Sequence, residues 1–166
     1  MLSVKKATLN DIPLIRELAM QVWPQTYTPI IGAAQVAYML DLFYTPEALQ
    51  KQLEQGHHFI ICYADGQPSA FASWSEIQPG IYKLHKLYII TTQQGKGIGK
   101  FVINHIAAAL KQTDAQELRL NVNIYNHSAI AFYGKVGFTQ LYNEDIDIGG
   151  GYFMNDHVLG MQVKTI

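Results

Sequence analysis

The stretch from Ile81 to Asn123 constrains the fold more than any other part of the chain. It reads as a strand at about 81–90 that ends in the apolar run Leu87-Tyr88-Ile89-Ile90, a loop QQGKGIGK at 93–100, a helical segment to about Gln112, and a second strand, ELRLNVN, at 117–123. A strand, helix, strand unit implies two parallel strands joined by a right-handed crossover. What precedes it follows a different rule. Strands expected at about 57–64, 68–77 and 81–90 are separated by Asp65-Gly66 and by Gln78-Pro79-Gly80, turn signals that join antiparallel neighbours. The sheet is therefore expected to be mixed, with a parallel pair set among antiparallel strands.

The remaining elements extend that sheet and cover it. Leu2, Val4 and the stem of Lys6 alternate as a first strand, and Thr8 with Asp11 three residues later resembles a capping box at a helix start. That helix is expected to run to about Val22, with Pro24 and Pro29 breaking the segment WPQTYTPIIG. Helices at Ala33–Phe43 and at Pro46–Gln55 follow, the second capped by Thr45. A short helix from about His127 to Val136 ends at Gly137, and strands at about 138–147 and 152–164 flank Gly149-Gly150-Gly151. The fold class is α/β in the α+β sense, with about seven strands, mostly antiparallel, and about four or five helices.

Composition limits what such a chain does. With 166 residues, 49% of them hydrophobic and 15% charged, it has material for one core, so a single domain over 1–166 is expected. A net charge of −1 and a pI near 6.6 give no electrostatic case for nucleic acid, and the ligand is expected to be small. Cys62 is the one cysteine, so no intrachain disulfide forms. The start MLSVKKATLNDIP lacks the apolar core of a leader, and no apolar run approaches the roughly 20 residues of a membrane span, so a cytoplasmic location is expected.

Gly95, Gly97 and Gly99 alternate through the loop, which lets the backbone take left-handed conformations and lets a ligand approach the amides without meeting a Cβ. Ile98, Val102, His105, Ile106 and Ala109 then recur at helical spacing, so the loop opens a helix whose N-terminus favours an anion such as phosphate. Two familiar phosphate motifs fail here. Gln94 stands where a P-loop needs its first glycine, and Phe101 where it needs a hydroxyl. A dinucleotide fingerprint starting at Gly95 meets Lys100 in place of its third glycine, after strands that are antiparallel.

Gln94-Gly95-Lys96-Gly97-Ile98-Gly99 resembles the acetyl-CoA loop of the GNAT family of N-acetyltransferases: glutamine or arginine, two residues, glycine, one residue, then glycine or alanine. The resemblance continues into Lys86-Leu87-Tyr88-Ile89 before the loop. It continues also into NHSAIAFYGKVGF at 126–138, which has that family's asparagine, alanine, aromatic-tyrosine and Gly-Phe in order and spacing. The resemblance implies a fold in which the central parallel strands splay and the pantetheine arm of acetyl-CoA enters, held by backbone around Leu87, Tyr88 and Ile89. It implies that the amides of Gly95, Lys96, Gly97, Ile98, Gly99 and Lys100, bracketed by Gln94, take the pyrophosphate. Lys96 or Lys135 then meets the nucleotide phosphates, or is merely solvated, and Asn126 contacts the cofactor. Tyr133 falls where the family has the acid that protonates the departing CoA sulfur. No metal is implied.

Acetyl transfer to an amine also needs a base, because amines of pKa roughly 10 arrive protonated. Many family members have a glutamate on the strand before the loop; Lys83 stands near that place here. His85, on the same strand face as Leu87, is the replacement, as in some arylalkylamine acetyltransferases, with Glu76 or water as the alternatives. For the acceptor, Trp23 to Tyr27, Tyr38, Asp41, Tyr44, and the acids Glu144, Asp145 and Asp147 offer aromatics and charge for a cationic amine, or core packing and solvated surface. The layout is similar to bacterial spermine/spermidine-type acetyltransferases, which implies a small polyamine-like acceptor. Acetylation of a protein terminus or lysine, and acyl-CoA sensing without turnover, are the alternatives. A homodimer through an edge strand at 152–164 is a further expectation.

Overall fold

The computed structural model describes residues 1–166. Its strands are β1 (Leu2–Lys6), β2 (His58–Ala64), β3 (Gln67–Gln78), β4 (Ile81–Ile89), β5 (Glu117–Asn123), β6 (Thr139–Gly149) and β7 (Tyr152–Gln162). They form one sheet in the order β1-β2-β3-β4-β5-β7-β6. The helices are α1 (Ile12–Ile31), α2 (Ala33–Phe43), α3 (Pro46–Glu54), α4 (Ile98–Leu110) and α5 (His127–Val136). β4 and β5 are parallel, while β1 with β2, β2 with β3, β5 with β7 and β6 with β7 are antiparallel. This is the mixed sheet that the sequence predicts. No helix is long and apolar enough to cross a membrane.

Local chemistry explains the boundaries. Asp65 and Gly66 have φ of 50° and 80°, the left-handed pair that a two-residue hairpin between β2 and β3 needs. The Thr45 hydroxyl accepts the Ala48 N–H at 3.1 Å and starts α3, with Pro46 in its first turn. Asp11 accepts the Thr8 N–H at 2.8 Å ahead of α1, as the capping pattern requires.

Two expectations are corrected. α1 does not stop near Val22 but runs through Pro24 and Pro29 to Ile31, ending where Gly32 takes φ 83°. Both prolines lie on the exposed side of the helix, so the carbonyls of Met20 and Gln25 that lose their N–H partner are available to water. The buried side, with Val22 and Trp23 at 1% and 4% exposure, holds the helix together. The segment 152–164 is not an edge. β7 is paired on both sides, with β5 and with β6, so β6 is the edge strand, because the last hairpin folds its first strand outward.

The chain divides into two compact units. The first, Met1–Ser75 with Lys86–Val102, has a core that includes Ile15, Leu49, Phe59, Ile61, Phe71 and Ile98, each at most 1% exposed. The second, Glu76–His85 with Ile103–Ile166, buries Ile103, Ile106 and Leu110 of α4 and the alternating Leu118, Leu120 and Val122 of β5. His105 and Ala109 share the helical spacing but lie exposed, so the buried stripe of α4 is carried by residues one position away.

Candidate active site

In the first unit, β4 leads through Ile90 and a single 3-10 turn at Thr91–Gln93 into the glycine loop and then α4. Gly95 and Gly97 have φ of 78° and 79°, and a Cβ built on either meets nothing within 4 Å. The loop therefore needs glycine for its backbone conformation and leaves open space beside its amides. Phe101 N–H donates to the Gly97 carbonyl at 3.1 Å, the first bond of the helix. The amides of Ile98, Gly99 and Lys100 belong to the first turn and have no carbonyl one turn earlier in the helix to accept them. Gln94, Lys96 and Lys100 are exposed; Lys96 Nζ donates to Gln93 Oε1 at 3.3 Å. Gln94 Nε2 donates to the Ile89 carbonyl at 3.1 Å, so the loop glutamine ties the loop back to the end of β4. Leu87, Tyr88 and Ile89 are all partly exposed.

In the second unit, β4 pairs in parallel with β5 at Ile81↔Glu117 through Leu84↔Leu120, and His85 is the next residue of the strand. His85 is partly exposed and, by strand alternation, lies on the face of Leu87 and Ile89. Asn126 is buried, and its Oδ1 accepts the Ala129 N–H at 3.4 Å, so it caps α5, the helix that carries Tyr133. Tyr133 is half-buried, its ring edge-on to Phe132 at 5.2 Å and to Phe138 at 5.5 Å. Its carbonyl accepts the N–H groups of Gly137 and Phe138 at 3.1 and 3.0 Å. Gly137 has φ 121°, and a Cβ there would meet Met161 Sδ at 2.9 Å, so the turn that follows Tyr133 requires glycine. Lys135 is exposed. Glu76 is exposed too, and its carboxylate engages Tyr82. The Tyr82 phenol is pushed up by burial, opposed by the Thr113 hydroxyl and reinforced by Glu76.

A polar group missed by sequence reasoning lies on β5, β6 and β7. Asn121 Nδ2 donates to Glu144 Oε2 at 2.9 Å and to Asp156 Oδ2 at 3.3 Å. Asp156 is 5% exposed, and burial pushes its carboxyl above the usual aspartate value, against the Asn121 hydrogen bond and the Lys83 charge. Of the three acids expected near the last hairpin, Glu144 alone joins it. Asp145 falls on the opposite strand face, and Asp147 accepts the Gly149 N–H at 2.9 Å within the turn.

Of the expected aromatic residues, Trp23, Tyr27 and Tyr44 come together in the first unit, joined by Tyr88. The Trp23 ring lies 4.5 Å from Tyr27, 5.6 Å from Tyr44 and 5.6 Å from Tyr88, and the Tyr27 and Tyr88 hydroxyls are 3.3 Å apart. Asp41 does not join them and is exposed. Arg16 Nε donates to the Tyr44 carbonyl at 2.7 Å and fixes that residue at the end of α2. Lys86, buried at 8% exposure, places Nζ 4.8 Å from the centre of the Tyr44 ring.

Residues 15–138 match the acetyltransferase (GNAT) family, three quarters of the chain and all of the segment that carries the loop, β5 and α5. The chain belongs to the GNAT acetyltransferase family. Membership makes it an acyltransferase. An uncharacterized N-acetyltransferase of Methanocaldococcus jannaschii is 30% identical over 98 residues, a match that takes in 55% of this chain and 42% of that protein's length. The spermidine N(1)-acetyltransferase of Thermoplasma acidophilum is 24% identical over 142 residues, covering 82% of this chain and 88% of the relative. Among solved structures, the PaiA N-acetyltransferase of T. acidophilum in complex with coenzyme A superposes with a TM-score of 0.83 at 23% identity, over 98% of this chain and 99% of that one. At that identity the likeness speaks for the fold.

Proposed function

We propose that this GNAT enzyme transfers the acetyl group of acetyl-CoA to a primary amine of a small molecule. The observation that carries the reading is the loop at the start of α4. Two glycines in left-handed conformation and open space at their Cβ positions leave amides to meet a pyrophosphate beside a helix N-terminus. The backbone of Leu87, Tyr88 and Ile89 would hold the pantetheine arm as a strand edge holds an extended partner. With the Ile89 carbonyl taken by Gln94, that residue's N–H is the group assigned to the thioester oxygen.

In the reaction, the neutral amine nitrogen forms a bond to the thioester carbonyl carbon and the carbon–sulfur bond breaks. Tyr133 gives its phenolic proton to the departing sulfur, and the proton lost by the amine goes to His85, directly or through water. The cap at Asn126 and the turn at Gly137 fix the backbone on either side of Tyr133, as a proton donor requires. Lys96, Lys100 and Lys135 are the cations assigned to the nucleotide phosphates. A polyamine-like acceptor is the finer reading, supported by the Thermoplasma spermidine acetyltransferase among the relatives and by the carboxylates of Glu144 and Asp156.

Replacing Tyr133 with phenylalanine tests the acid. Turnover should fall by roughly 10²-fold with CoA affinity retained, because the hydroxyl acts only in the transition state. Loss of CoA affinity with unchanged turnover at saturation would make Tyr133 a packing residue and sink this assignment.

A further inference from the structure

Among the buried polar atoms of the first unit that have no hydrogen-bond partner are Trp23 Nε1, the Tyr44 hydroxyl and Ser73 Oγ. Their residues are 4%, 3% and 0% exposed. Burial pushes the Tyr44 phenol well above its ordinary pKa, opposed by the Trp23 indole N–H, yet that approach falls short of hydrogen-bond geometry. Unpaired buried donors are unfavourable and call for an occupant.

The three belong to one neighbourhood. Trp23 and Tyr44 are 5.6 Å apart, and Tyr44 packs 6.1 Å from Phe71. Ser73 is two residues along β3 from Phe71 and so on the same face. Lys86, with Nζ over Tyr44, lies on β4 immediately before Leu87, which is assigned above to acetyl-CoA. The cluster reaches the surface at Tyr27 and Tyr88, both partly exposed.

Its chemistry is one-sided. An indole N–H and an ammonium can only donate, and the two hydroxyls can donate as well. A substrate ammonium would offer Trp23 no lone pair and would meet like charge at Lys86. A carboxylate offers lone pairs to each donor and opposite charge to Lys86.

We propose that Trp23, Tyr44, Ser73 and Lys86 form a subsite for a carboxylate of the acceptor. The acceptor is then an amino-carboxylate, such as a diamino acid, that keeps a polyamine-like amine at one end and carries an acid group besides. This rests on the acetyl-transfer reading and narrows its substrate.

Ornithine and putrescine differ by one carboxylate and form the test pair. Calorimetric titrations with CoA present, on the unaltered protein and on Lys86→Met and Tyr44→Phe, are run beside acetyl-transfer assays on the same samples. Ornithine should bind at least about tenfold more tightly than putrescine, the weight of one charge-assisted hydrogen bond, and both variants should erase most of that ratio. Tyr44→Phe keeps the ring and removes an orphan hydroxyl, so it gives the reading even where Lys86→Met fails to fold. Putrescine binding as tightly as ornithine, or a ratio that survives in the folded variants, would mean that the donors face ordered water and would overturn the subsite. Variant-sensitive ornithine binding with no acetylated product would uphold the subsite and remove the acetyl-transfer reading. Acetylation of both amines at equal efficiency would do the reverse.

Discussion

Gly97→Val separates the fold of the loop from its ligand chemistry. The residue has φ 79°, and a Cβ built on it meets nothing within 4 Å, so the added carbon has open space around it. The cost is conformational. Holding a residue with a Cβ in the left-handed region costs about 1–2 kcal/mol, and a β-branched side chain sits at the upper end. In a chain of this length that lowers Tm by about 2–8 °C. The ligand should lose more. The valine methyls would fill the space beside the loop amides, and each charge-assisted hydrogen bond lost to phosphate removes about 1.5–3 kcal/mol. One such bond weakens CoA binding about 10- to 100-fold, and two would bring it below ready detection. Thermal melting followed by calorimetric titration of CoA into the variant reads both quantities. A variant that melts cooperatively near the expected temperature and binds CoA with unchanged affinity refutes the phosphate role of the loop.

The remaining predictions use other parts of the structure. If His85 accepts the amine proton, the acidic limb of the rate profile should follow the titration of a single group, and His85→Ala should abolish that limb; a limb that persists unchanged makes His85 structural and turns attention to Glu76 or water. Asp156 is raised by burial, so the folded state holds its proton more tightly than the unfolded one. Stability should then fall as pH rises from the ordinary aspartate value through the raised one and stay level above it, while Asp156→Asn should raise Tm at neutral pH and flatten that slope in pH-dependent melts. Pro24→Ala restores an N–H to α1 at an exposed position, and after allowing for the stiffer unfolded chain that proline provides, a gain of about 1–2 kcal/mol is expected in denaturant titration; a loss would mean that the proline shapes the helix around Trp23.

Most of the sheet was legible because its punctuation is chemical. Asp65-Gly66, Thr45-Pro46, the alternation of Leu118, Leu120 and Val122, and the Asn126 cap each state a local backbone preference that the structure keeps. α1 misled because proline reports a local cost, whereas the burial of Val22 and Trp23 and the exposure of Pro24 and Pro29 are tertiary facts. The edge strand misled for a related reason: order along the chain does not say which strand of a hairpin turns outward, and β7 inserts between β5 and β6. The left-handed backbone at Gly95 and Gly97 was legible from glycine spacing. Asp156 was not, since one acid in a strand reads as surface until Asn121 and Glu144 are seen beside it. Lys86 was hidden in the same way: a lysine at a strand position reads as solvated, and only the Tyr44 ring beneath its ammonium shows that it is buried.

Product analysis with labelled acetyl-CoA decides whether this protein moves an acetyl group onto an amine. The protein is incubated with acetyl-CoA carrying the label in its acetyl group and with single primary amines, and both the acetylated amine and the free CoA thiol are quantified over time. An acetyltransferase places the label on the amine nitrogen in one-to-one proportion with thiol released, at a rate that depends on the amine and drops in Tyr133→Phe. Binding of acetyl-CoA with no labelled amine from any acceptor, small molecule or peptide, would contradict it and leave an acyl-CoA-binding protein without turnover.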